Sequence, residues 1–296
     1  MAKSITTKLI DSNSKLSAGG RAQSFWANKP VKKIERYDAD QYKGKLDQFE
    51  IIKKYKLKGF EYGNWVNNND RFDFLQATGE SMEDISKILH TKNIGCDGTV
   101  GVAFGARGHS GAKAHFEPGT FMINLTKENG YNSLAHEYGH ALDYFFGMFV
   151  DQSHEYTSLV GGRSEKRIIS DAGGSLRRMA NDVVNTITTI NGAQTETYKS
   201  LVSLYGDKGG YWFRRNEIFA RAFEQWLQYK LAEKKIKNTF LTKSKYENGN
   251  YMTKTDFKRA LPLMDKLIKE MAAFMNNKKK STGTVRKTVL RSAAKK

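Results

Sequence analysis

The spacing of apolar residues changes several times along the chain, and each change marks an element. In LAHEYGHALDYFF, Leu134 to Phe146, apolar residues fall on nearly every face, which predicts a buried helix with Asn132 or Ser133 as its cap. NEIFARAFEQWLQYKLAEKK, Asn216 to Lys235, predicts a second helix with Asn216 as cap. SLRRMANDVVNTITTI, Ser175 to Ile190, predicts a third, and TDFKRALPLMDKLIKEMAAFM, Thr255 to Met275, a fourth that bends or restarts at Pro262. SMEDISKILH, Ser81 to His90, reads as a short helix capped by Ser81, with Glu83 and Asp84 favourably placed in its first turn. Two β-branched or aromatic runs bounded by glycine, Thr99 to Phe104 and Thr120 to Thr126, predict strands. Between them GARGHSGAKAHFEPG reads as a glycine-rich loop without the spacing of a P-loop.

Composition adds little to this picture, but charge adds much. Hydrophobic residues make up 39 % of the 296, enough for a sizeable core. The single cysteine, Cys96, excludes an internal disulfide framework and a cysteine-based zinc site. The start lacks the apolar region of a signal peptide, so secretion by that route is not expected. No apolar run approaches the ~20 residues that cross a bilayer, so no membrane partner is expected. The net charge of +18 sits at the ends. Residues 1–60 carry 14 Lys/Arg against 6 Asp/Glu, residues 276–296 carry 8 against none, and the middle carries 27 against 25. The expected organisation is therefore a basic arm over 1–48, a folded domain over 49–275 and a basic disordered tail over 276–296. Arm and tail, not the domain, would meet a polyanion such as nucleic acid.

The first helix carries the chemistry. His136 and His140 stand four apart, so they share a helical face and can present two imidazole nitrogens to one cation. Glu137, one step round, is displaced from that pair but well placed to reach a water on the metal. This is the logic of H-E-x-x-H: a zinc ion held by two histidines, with the glutamate as general base. Two histidines and a glutamate in so apolar a segment would cost several kcal/mol if left unpaired, which favours the metal reading over a chance match. A catalytic zinc needs a third protein ligand and an open position. No third histidine follows at the metzincin spacing. A carboxylate on the second helix is preferred, Glu217 ahead of Glu224, with Asp143 or a loop residue as further alternatives. Asp143, seven residues after His136, is placed to orient a ligand imidazole. Tyr211, six residues before Glu217, is the candidate oxyanion donor, with Tyr138, Trp212 and His115 as competitors. The strand Thr120 to Thr126, just before the metal helix, could pair with an extended peptide substrate.

Three blocks of residues carry a resemblance: FEYGNWVNNNDR, then the run from Val100 through LAHEYGHALDYF, then WFRRNEIFARAFEQW. Together, over about Gly59 to Lys230, they resemble the zincin-like metallopeptidase domain of large polyvalent proteins encoded by bacteriophages and conjugative elements. A more distant similarity runs to the catalytic domain of anthrax lethal factor, in which a glutamate-aromatic-aromatic-alanine helix follows the H-E-x-x-H helix. EIFARAF fits that pattern with Glu217 in the ligand position. The resemblance implies an α+β, gluzincin-type fold, mostly helical, with a small twisted sheet whose edge strand runs beside the metal helix. It implies a zinc metallopeptidase acting on a protein or peptide substrate, of phage or mobile-element origin, in the host cytoplasm or the virion. The alternative expectation is a DNA-associated or virion-packaged protein whose zincin domain is mainly structural.

Overall fold

The structure, a computed structural model, describes residues 36–37, 47–63, 66, 68–106, 114–126, 130–149, 172–206, 210–246 and 249–277. Among these residues the helices are α1 (Gln48–Tyr55), α2 (Asn68–Leu89), α3 (Leu134–Phe149), α4 (Ala172–Thr188), α5 (Glu196–Tyr205), α6 (Arg215–Glu233) and α7 (Lys254–Asn276). The strands are β1 (Arg36–Tyr37), β2 (Phe60–Tyr62), β3 (Gly101–Phe104), β4 (Ala114–Glu117), β5 (Met122–Leu125), β6 (Thr189–Ile190), β7 (Ala193–Gln194) and β8 (Lys237–Asn238). The class is α+β, mostly helical with a small sheet. None of the described helices is long and apolar enough to cross a membrane. Most of the expected arm and tail lies outside the described residues, although Arg36–Tyr37 pairs antiparallel with β8. The chain divides into two compact units: residues 1–137 with Lys230–Ser244, and Tyr138–Tyr229 with residues from Lys245 onward. The division falls within α3 and within α6, each an unbroken helix.

The first unit holds a four-stranded mixed sheet in the order β2-β3-β5-β4. β2, β3 and β5 run parallel, and β4 is antiparallel to β5. β3 and β5 are buried at all four positions, which explains why they read as plain apolar runs rather than alternating ones. Two expectations fail here. The strand before α3 does not offer a free edge to a peptide, because β5 lies between β3 and β4 and is paired on both sides. The stretch expected as a glycine-rich loop contains β4, whose AHFE residues complete the sheet. Only Phe116 of β4 is buried, as suits an outer strand.

α2 also departs from expectation. It starts at Asn68, so Ser81 lies in its interior rather than at its cap. The buried positions Asp70, Phe74, Ala77, Ser81, Ile85 and Ile88 recur every three or four residues, the period of one helical face. Glu83 is consequently mid-helix, where it accepts hydrogen bonds from Lys54 Nζ at 2.7 Å and from Tyr55 Oη, tying α1 to α2. On the buried face, Asn238 Nδ2 donates to Asp84 at 2.8 Å and to Ser81 at 3.2 Å. The same side chain accepts from the backbone N–H groups of Phe240 and Leu241, each at 3.1 Å. Those residues in turn offer their carbonyls to the start of α3: Asn132 N–H donates to Phe240 and Ala135 N–H to Leu241, each at 3.0 Å. An orphan donor of the first helical turn is thereby satisfied by main chain.

In the second unit α4 packs along α7. α4 ends earlier than expected, and Thr189–Ile190 instead opens a hairpin to β7. Its turn residues Asn191 and Gly192 both have positive φ, 49° and 78°, as an Asn-Gly type I′ turn requires. α6 begins at Arg215, so Asn216 sits inside its first turn and is not the cap. α7 runs unbroken through Pro262 rather than restarting there. Its start is knotted to α5: Asp256 accepts from the Thr197 backbone at 2.8 Å, from Thr197 Oγ1 at 2.6 Å and from Arg259.

Burial pushes the Asp256 carboxyl up, but the hydrogen bonds from Thr197 and the Arg259 charge outweigh it and hold the group below its ordinary value. A depressed folded-state value means that the ionised carboxylate stabilises the fold above the unfolded value, about 3.9. That contribution is lost as pH falls through the folded value. Asp256→Asn is therefore expected to cost about 2 kcal/mol at pH 7. The gap between the two proteins should narrow as pH drops below about 4. Urea unfolding midpoints from pH 7 to 3 check this, and a gap independent of pH would contradict it.

Candidate metal centre

α3 and α6 bring three side chains of the expected site together. His136 and His140 occupy successive turns of one continuous helix, and Glu217 lies in the first turn of α6. One ligand atom from each of the three can be chosen so that all lie within 4.8 Å of one another. His140 Nε2 stands 3.3 Å from Glu217 Oε1. Two atoms each about 2.0–2.1 Å from one tetrahedral zinc would be about 3.3 Å apart, so this pair fits such an ion. Two imidazoles and one carboxylate are also the donor set of a catalytic site that keeps a fourth position for water. His140 and Glu217 are 5 % and 6 % exposed, and His136 is half-buried. Glu137, beside His136, is buried.

Local packing explains the approach of His140 to Glu217. Gly139 precedes His140, and a Cβ there would lie 3.2 Å from Cβ and Cδ1 of Phe223 and 3.3 Å from Cα of Ala220. The glycine, poor for a helix by about 1 kcal/mol, is the residue that lets α3 lie against α6. Tyr138 packs into the same contact, its ring 6.0 Å from that of Phe223 and fully buried. That placement puts it in the core rather than beside a reacting carbonyl.

The other acidic candidates have different surroundings. Glu224 is seven residues beyond Glu217, about 10 Å further along the helix axis. It is fully buried and accepts hydrogen bonds from Tyr246 Oη at 3.1 Å and Tyr251 Oη at 2.9 Å. Asp143 is fully buried with Arg215 as a charge neighbour. Arg215 in turn donates to Asn181 at 2.6 Å and Asn185 at 3.1 Å, joining the start of α6 to α4. Tyr211 sits in the turn before α6 and is 47 % exposed, its ring edge-on to Trp212 and beneath the Arg214 guanidinium. Trp212 is stacked on Tyr205 at 4.4 Å, and His115 lies on β4 opposite Asn124.

One residue beside the centre escaped the reading of the sequence. Arg221 follows Glu217 by one helical turn and is 5 % exposed. Its Nη2 donates to the Trp212 carbonyl at 2.6 Å, and its guanidinium lies 5.4 Å from the Trp212 ring centroid. Burial draws its pKa below the ordinary value, and Glu217 is the strongest of the charges that oppose this. The available signal was a lone basic residue inside the apolar run IFARAF.

The model of one protein family, Large polyvalent protein-associated domain 1, matches residues 205–274. The match links the chain to large polyvalent proteins. It takes in Glu217, Arg221 and Glu224 and leaves out His136 and His140, so it carries no statement about peptidase identity. No curated protein matches the chain, and no solved structure does.

The Gly139 contact yields a graded expectation. Gly139→Ala gains helix propensity while pressing on Phe223, and the two effects should nearly cancel. Gly139→Val should cost about 1–3 kcal/mol by overpacking and reduce the metal retained on purification. Thermal unfolding with elemental analysis of bound metal checks both, and a Gly139→Val protein with unchanged stability would show that the helices do not meet so closely.

Proposed function

We propose that the chain is a zinc-dependent metallopeptidase of a phage or mobile element, acting as an endopeptidase on a protein or peptide substrate. The observation that carries this reading is the convergence of His136, His140 and Glu217, with Glu137 adjacent to the first ligand. His136, His140 and Glu217 would hold the ion. Bound zinc would bring the pKa of a water toward ~7 and polarise the scissile carbonyl. Glu137 takes the proton released as water attacks and passes it to the departing amine, so the residue ends the cycle as it began. Tyr211, on its exposed turn before α6, is the proposed donor to the oxyanion.

The confinement of charge to the termini supports a compatible second reading, in which the protein travels bound to nucleic acid, in the virion or in the host cytoplasm. A DNA-bound protein whose zincin domain is mainly structural is the variant of this reading that lacks catalysis.

Two experiments test these readings. The purified chain should contain zinc and cleave a peptide library, and Glu137→Gln should keep the zinc while losing about 100- to 10,000-fold in kcat. Equal cleavage by both proteins would sink the mechanism. Removal of residues 276–296 should weaken DNA retention and flatten its dependence on salt. Unchanged binding would exclude the tail as a nucleic-acid contact.

A further inference from the structure

Arg221 is a buried cation that the proposed reaction does not use. One guanidinium arm is spent on the Trp212 carbonyl, and the planar group rests near the indole ring. The other arm, Nη1, is buried and has no hydrogen-bond partner. An unsatisfied donor on a buried charged group is costly, so its retention calls for an acceptor within reach. The Nη2 bond to Trp212 keeps the guanidinium from turning away. Residues four apart on a helix are neighbours, which sets Glu217 beside it. The Glu224 carboxylate, on the far side, already accepts from two tyrosines.

We propose that Arg221 is the positioning residue of Glu217. Glu217 Oε1 is the oxygen turned toward His140, and Arg221 Nη1 takes the second oxygen, Oε2, once the ion draws the carboxylate into place. The guanidinium thereby decides which oxygen ligates and holds the carboxylate to a single-oxygen contact, leaving room for water. Ligating carboxylates are commonly held by such an outer partner, and arginine can bond the main chain and the carboxylate with one rigid fork where lysine cannot. The inference rests on the metal reading above and deepens it.

The test measures zinc affinity of the full chain by competition with a chelator, with unfolding midpoints of the metal-free proteins taken alongside. Arg221→Met should weaken zinc binding about 10- to 100-fold. Arg221→Lys should fall between wild type and Arg221→Met. In a Glu217→Gln background Arg221→Met should add little, because a residue acting through Glu217 has nothing left to act on. Wild-type affinity in Arg221→Met, or an equal loss in the Glu217→Gln background, would overturn the proposal while leaving the metal reading intact. A wild-type chain that binds no zinc would overturn both. If Arg221→Met does not fold, Arg221→Lys decides, and wild-type affinity in that variant would overturn the assignment.

Discussion

The close crossing of α3 on α6 at Gly139 is the constraint on which the candidate centre depends. Helix axes approach this far only where one partner lacks a Cβ or nearly so, and Gly139 faces Ala220 and Phe223. Each potential ligand sits within a turn of that contact: His140 next to the glycine on one helix, Glu217 three residues before the alanine on the other. Their 3.3 Å separation is a consequence of backbone proximity rather than of long side chains reaching across a gap. His136 needs no separate placement, since one turn of the same helix carries it.

Proximity alone would not hold a ligand set to metal tolerance, and the ends of both helices are fastened. The start of α3 is held by the carbonyls of Phe240 and Leu241, which Asn238 fixes against Ser81 and Asp84 of α2. The start of α6 is held by Arg215 to α4 and by Arg221 to the Trp212 carbonyl. Fixing the first turns is what matters, because His136 and Glu217 both lie there. A site on rigid helices would be positioned before an ion arrived, which would reduce the ordering cost of binding.

The parts legible in the sequence were those with a strong local signal. His136, Glu137 and His140 advertise themselves by spacing, and α3, α4, α6 and α7 by apolar period. Single-residue helix starts were less legible: Ser81 has capping chemistry but lies inside its helix, because a buried face upstream extended the element, and Asn216 lies one residue inside α6, which begins at Arg215. Parts that depend on distant partners were hidden. AHFE looks like loop because its glycine-rich surroundings dominate its composition, yet pairing with β5 makes it a strand. The same pairing removed the free edge expected of β5, a property of sheet order that no local pattern reports. Asn238 and Arg221 were invisible for a similar reason, since each matters through groups brought near only by folding.

Glu217 and Glu224 show where sequence reasoning must stop and environment must decide. Both are buried glutamates on one face of α6, seven residues apart, and composition treats them alike. Arg221 lies between them, so three buried charges alternate in sign along the helix. Each carboxylate then finds its own compensation. Glu224 is satisfied by the hydroxyls of Tyr246 and Tyr251, which anchors that segment and leaves the group no reason to bind an ion. Glu217 faces the His140 imidazole and has the Arg221 guanidinium, which keeps a spare donor, as a charge neighbour. A divalent ion would give the imidazole lone pairs and the carboxylate a common partner. The two glutamates thus differ in what surrounds them, two tyrosine hydroxyls in one case and a histidine imidazole in the other.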